Sequence, residues 1–100
     1  MGKGSRKKSI ITDDMEHCYI CGRPKQAIHH CLHGTANRKH ADRLKLVIPI
    51  CFECHQGANG IHNNRKLDLR VIRCAQRKFE EKLGTREDFI RIFGKNYLED

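Results

Sequence analysis

"IHHCLHGTANRKHADRLKLVIPICFECH", residues 28–55, sets two adjacent histidines in an apolar run and closes with a histidine directly behind a Cys-x-x-Cys pair. The flanking pieces QAIHHCL (26–32) and LKLVIPIC (44–51) are short and β-prone, the second rich in branched residues and carrying Pro49 near its end. They predict an antiparallel ribbon. The stretch between them, HGTANRKHAD (33–42), is polar and reads as a loop. In a strand, successive side chains point to opposite faces, so His29 and His30 diverge and cannot both be ordinary core residues.

Outward from this stretch, Cys18 and Cys21 form one pair and Cys51 and Cys54 another, with 29 residues between the pairs. Two such pairs supply four thiolates to a tetrahedral site, the set that structural zinc prefers because soft sulfur and four-fold geometry suit a closed-shell ion. The competing readings are a redox pair, an iron–sulfur site or disulfides. CYICGRPK (18–25) has the Gly and Pro of the tight turn on which paired zinc cysteines usually sit. Cys31 and Cys74 stand alone and read as small buried hydrophobes. His17, beside Cys18, is a weaker competitor for the same ion. The clamp carries His55 into the neighbourhood of the histidine strand, which points to a second metal site.

The chain has 100 residues with 38% hydrophobic and no Trp, enough for one thin core that benefits from a cross-link. Twenty Lys and Arg against twelve Asp and Glu leave +8, which favours a polyanionic partner, nucleic acid first. No apolar run reaches the roughly eighteen residues of a membrane span, and the basic opening MGKGSRKKSI is not followed by a signal-type apolar segment. The expectation is a soluble cytoplasmic chain without membrane contact, in a compartment where paired cysteines hold metal more often than they form disulfides. Residues 1–16 are expected to be a flexible basic leader, with one domain over 17–100.

Gly57 and Gly60 limit CHQGANG (54–60) to a helical turn or two. A longer helix is predicted from Asn64 or Asp68 to Leu83, capped by Gly84, with Leu69, Ile72, Ala75, Phe79 and Leu83 on its packing face. Lys66, Arg70, Arg73 and Arg77 form the opposite, cationic face. TRED (85–88) reads as a capping box that opens a last helix to Gly94, completing a helical extension over about 64–98.

The order Cys-x-x-Cys, His-His in a strand, a polar stretch, then an apolar strand ending in Cys-x-x-Cys-His resembles the HNH endonucleases of the ββα-metal fold, in their zinc-bearing branch. HHCLHGT, IPICFECH and GIH resemble in particular the small phage-encoded members related to the recombination-enhancement nuclease. The resemblance covers about residues 18–62. It implies a small α+β fold with a zinc-stapled ββα-metal core and two C-terminal helices, and a metal-dependent endonuclease that cuts or nicks DNA. By the same resemblance His30 is the general base, His29 and His55 are ligands of a catalytic divalent cation (Mg2+, Mn2+, Ni2+ or Zn2+), and the four cysteines hold structural Zn2+. His62 is a further candidate ligand, its other reading being a surface or helix-entry residue. Where many members carry an Asn, nine residues before the last His, this chain has Leu46. Asn37 is the stand-in, or else a turn residue. DNA is the implied partner, with phage packaging or recombination proteins as further candidates.

Arg38, Lys39, Arg43, Lys66, Arg70, Arg73 and Arg77 are the candidate backbone-phosphate contacts, which position nucleic acid without reading its sequence. His33 and His40 fall in the polar stretch with no assigned role. The alternative to an enzyme is a non-catalytic zinc-ribbon module that binds nucleic acid. A redox role is weaker, since no βαβ pattern surrounds either cysteine pair.

Overall fold

The computed structural model describes residues 8–98. Its elements are β1 (Ala27–His30), α1 (Thr35–Leu44), β2 (Val47–Ile50), α2 (Phe52–Gln56), a 3-10 turn (Ile61–Asn63), α3 (Arg65–Lys82) and α4 (Arg86–Phe93). The chain is a small α+β unit. β1 and β2 pair antiparallel, His29 opposite Ile48 and His30 opposite Val47, which is the expected ribbon. All four residues of β2 are buried, because this strand is covered on both faces.

The polar stretch between the strands is a helix and not a loop. Its half-buried and buried positions, Asn37, His40, Ala41 and Leu44, recur at helical spacing, but only Ala41 and Leu44 are apolar and the stripe is faint. Gly34 precedes it without a side-chain cap, so no Ser, Thr, Asp or Asn announces its start. Its end is equally concealed. Lys45 takes the left-handed conformation (φ 64°) that usually calls for glycine, and the amides of Lys45 and Leu46 bond back to Asp42 and Ala41 as in a Schellman motif.

The predicted leader packs in part. Residues 1–7 lie outside the described residues, but the Ile10 amide donates to the Lys45 carbonyl, and Ile11 and Met15 are buried. Two adjacent isoleucines give this segment enough apolar surface to dock.

In α3, Ile72, Ala75 and Phe79 are buried as predicted, but Leu83 is 45% exposed and Leu69 only half-buried. The buried face is turned toward Asp68, Val71 and Gln76. It accommodates polar groups because each is satisfied. Gln76 donates to Glu80 and Asn96 and accepts from the Tyr97 amide, which docks the C-terminal residues on the helix. The cationic face loses one member, since Arg73 is half-buried and donates through Nε to the Tyr97 carbonyl. The Thr85/Asp88 capping box opens α4 as predicted, and Phe89 and Phe93 pack inward. Among the described residues no helix is long and apolar enough to cross a membrane.

Candidate metal centres

The four cysteines converge, their sulfurs within 4.8 Å of one another. Cys51 is the residue that makes this local. It ends β2, caps α2, and its Sγ accepts the Cys54 amide at 3.5 Å, so the strand-to-helix turn presents both sulfurs to one point. The other pair sits in a turn, where the Cys18 amide donates to the Arg23 carbonyl and the Gly22 amide to the Cys18 carbonyl. The Tyr19 amide ties this turn to Pro49 of β2. Cys21 and Cys51 are 3.5 Å apart, far beyond the roughly 2.05 Å of a disulfide and near the roughly 3.8 Å edge of a tetrahedron with sulfur–metal bonds of about 2.3 Å. None of the four forms a disulfide. Burial raises the Cys18 thiol's pKa, but the amides of Cys21, Cys51 and Ile20 outweigh it and bring it to about 6. Cys54 is pushed up by burial, by sharing hydrogen bonds with the other sulfurs and by the charge on Cys18. Four sulfurs this close are compatible with a shared metal ion, and the donor set fits one.

His29, His55 and His62 form a second cluster, again with one ligand atom each inside 4.8 Å. His29 comes from the buried face of β1 and is 3% exposed. His55 follows Cys54 on α2. His62 is brought back by the chain reversal after α2, in which Gly57 and Gly60 pass so close to the Glu53 carbonyl that a Cβ at either would lie 2.5 Å or 2.8 Å from it. The reversal leaves His62 Nε2 3.0 Å from His55 Nε2. An ion bonded to nitrogen at about 2.0–2.1 Å holds neighbouring ligand atoms roughly 3.0–3.4 Å apart, so this separation fits shared coordination. His29 Nε2 is buried and, among the described residues, has no hydrogen-bond partner. An orphaned buried nitrogen is costly unless something binds it. These three observations fit a cation here. His62 joins the cluster while also being an exposed residue in the turn that leads into α3.

Burial, with the nearby His55, His33, His62 and His30, lowers the His29 pKa to about 3. Burial and then His62 lower that of His55. Neutral imidazoles keep the lone pairs a metal needs. The shift has a consequence for stability. Between about 3 and the ordinary value of about 6.5 the unfolded chain binds a proton at this position and the native one does not, so stability falls as pH drops through that window. Without cation at the imidazoles, the wild type is expected to lose about 2 kcal/mol more than His29→Asn between pH 7.5 and pH 5. Urea unfolding at the two pH values measures the difference, and equal losses would contradict it.

His30, on the other face of β1, places Nε2 3.3 Å from Asp42 Oδ1 of α1. It still reaches the hollow of about 280 Å³ that it lines with Ile28, His29, His33, Arg38, His55 and His62. Asn37 is not brought to the histidines; its Nδ2 donates to the Phe93 carbonyl at 3.4 Å. Asp42 is the partner that sequence reasoning missed. Its signal was present in the spacing of Thr35, Arg38, Lys39 and Asp42, which with His30 line an adjoining hollow, but reading α1 as a loop hid it.

His33 was also missed, and its Nε2 lies 2.7 Å from Asp68 Oδ1, a contact between chain segments 35 residues apart. Of the candidate cations, Arg38 and Lys39 line the hollows, whereas Arg43 contacts His40 at 2.8 Å, and Lys66, Arg70, Arg73 and Arg77 are outside the linings around the histidines. His17 pairs with Asp14 and stands apart from the cysteine cluster.

No family model, curated protein or solved structure matches the chain.

Proposed function

We propose that the chain is a metal-dependent nuclease that hydrolyses DNA phosphodiester bonds, with zinc at the four cysteines and a second divalent cation at His29, His55 and His62. The reading is carried by one observation: three converging imidazoles, one of them buried with an orphaned nitrogen, open into the same hollow as His30 and Arg38. The likeness of the residue order to that of the HNH nucleases supports it further, since the His-His strand, the second strand and the short helix bearing the last His follow one another in that order.

A divalent cation at the imidazoles would supply charge to offset what develops on the phosphate and the leaving oxygen. The rest falls to the chain. A carboxylate only accepts hydrogen bonds, so Asp42 assigns the proton of the His30 imidazole to Nε2 and leaves the Nδ1 lone pair to take a proton from the attacking water. Asp42 thereby orients the base, and Asn37, the stand-in by sequence, does not reach it. Arg38 and Lys39 are placed to hold the phosphate backbone.

Three imidazoles without a carboxylate favour nitrogen-preferring ions such as Ni2+ or Zn2+ over Mn2+ and Mg2+. Supercoiled plasmid is expected to be relaxed or linearised with one of these ions and left intact without added cation. Asp42→Asn is expected to lower the rate about 10–100-fold. Binding of the plasmid with no cutting in any of the four ions would replace this reading with a non-catalytic nucleic-acid binder.

A further inference from the structure

We infer that the hollow lined by His33, His62, Asn63, Asn64 and Arg65 seats the nucleotide on the 5′ side of the cut, the one that leaves with its 3′ oxygen. This rests on the phosphodiesterase reading and on the leaving 3′ oxygen that the HNH resemblance implies.

Three hollows adjoin. The central one shares His30 and Arg38 with the hollow along α1, and His33 and His62 with the hollow at the start of α3; these two outer hollows have no lining residue in common. A strand laid along them crosses the imidazole cluster in the middle. In an in-line displacement the water oxygen bonds to phosphorus as the bond to the 3′ oxygen breaks on the far side. The water's proton goes to His30, and solvent protonates the leaving oxygen. Entry from the His30 end therefore sends the leaving nucleotide toward the start of α3.

The walls there are built for a polar, anionic guest. Asp68 is 8% exposed at its side chain, and both its oxygens are occupied, Oδ1 by His33 Nε2 and Oδ2 by Arg65 Nη1, each at 2.7 Å. The buried carboxylate thus presents its partners to the hollow more than itself. Arg65 is 63% exposed and has further N–H donors for the phosphate on the 5′ side of the leaving nucleotide. Asn63 donates to the Gly57 carbonyl and Asn64 accepts from the Leu67 amide, which fixes two side chains that line the hollow and leaves one amide end of each outside these bonds.

The test compares Arg65→Ala and Arg65→Lys with wild type on two substrates. One is a short single-stranded oligonucleotide. The other is thymidine 5′-(p-nitrophenyl phosphate), whose nitrophenolate replaces the leaving nucleotide and departs so readily that it turns over wherever the oligonucleotide does. Arg65→Ala is expected to lose about tenfold in kcat/KM on the oligonucleotide relative to its loss on the ester, with partial recovery in Arg65→Lys. Equal losses on both substrates, or none on the oligonucleotide, would overturn the assignment. A wild type that cuts neither of these nor plasmid in any divalent cation removes the phosphodiesterase reading itself, and one that cuts plasmid alone overturns the assignment.

Discussion

Replacing His30 with Ala is expected to reduce DNA cleavage about a thousandfold while leaving both metal contents unchanged. The magnitude is that of removing a positioned general base. The specificity of the result follows from strand geometry. His29 and His30 are neighbours in sequence but face opposite sides of β1, and His29, His55 and His62 cluster without His30. Losing the His30 imidazole removes the proton acceptor and its Asp42 contact but no member of the cluster. Single-turnover cleavage of an oligonucleotide, run alongside metal analysis of the purified variant, checks both halves. Cleavage that survives the substitution would mean that another group takes the proton, and a fall in metal content would mean that His30 is a ligand.

Cys51→Ser is expected to leave the chain largely unfolded. Cys51 is 2% exposed, ends β2, caps α2 and supplies one sulfur of four. Serine can still accept the Cys54 amide as a helix cap, so the substitution isolates the sulfur. Structural zinc, the ion proposed for these sulfurs, is associated with about 10–16 kcal/mol of apparent binding free energy. That exceeds the roughly 5–15 kcal/mol net stability of a whole domain only narrowly, but it is comparable to it, and the thin core has little to offset the loss. Circular dichroism and zinc stoichiometry read the outcome. Cys74→Ser, at a half-buried position outside the cluster, is expected to fold with zinc intact. A cooperative, native-like Cys51→Ser protein without zinc would show that the core suffices alone.

Much of the fold was written in patterns that chemistry makes loud. Paired cysteines, a β-branched run and a capping box each encode a local geometry, and the cysteine cluster, the ribbon and α4 follow from them. The elements that escaped are those whose signals were weak or borrowed from elsewhere in the chain. The stripe of α1 runs through Asn37 and His40, and its stop is a lysine in a glycine's conformation. The face of α3 rotated because Asp68 and Gln76 found partners 35 and 20 or more residues distant in sequence, which no periodicity encodes. The same reason explains the site. His62 was legible as a candidate, but Asp42 and Asp68 become site residues only when α1 and α3 are placed against the histidine strand.

The short helix α2 belongs to both clusters: it is capped by Cys51 and carries Cys54 and His55 side by side. The two centres are therefore not independent, and they would fill in a set order, sulfur before nitrogen. A mild chelator that strips only the imidazoles would leave a silent protein that revives on adding cation, whereas one strong enough to take the sulfur-bound ion would dismantle the platform on which the other rests.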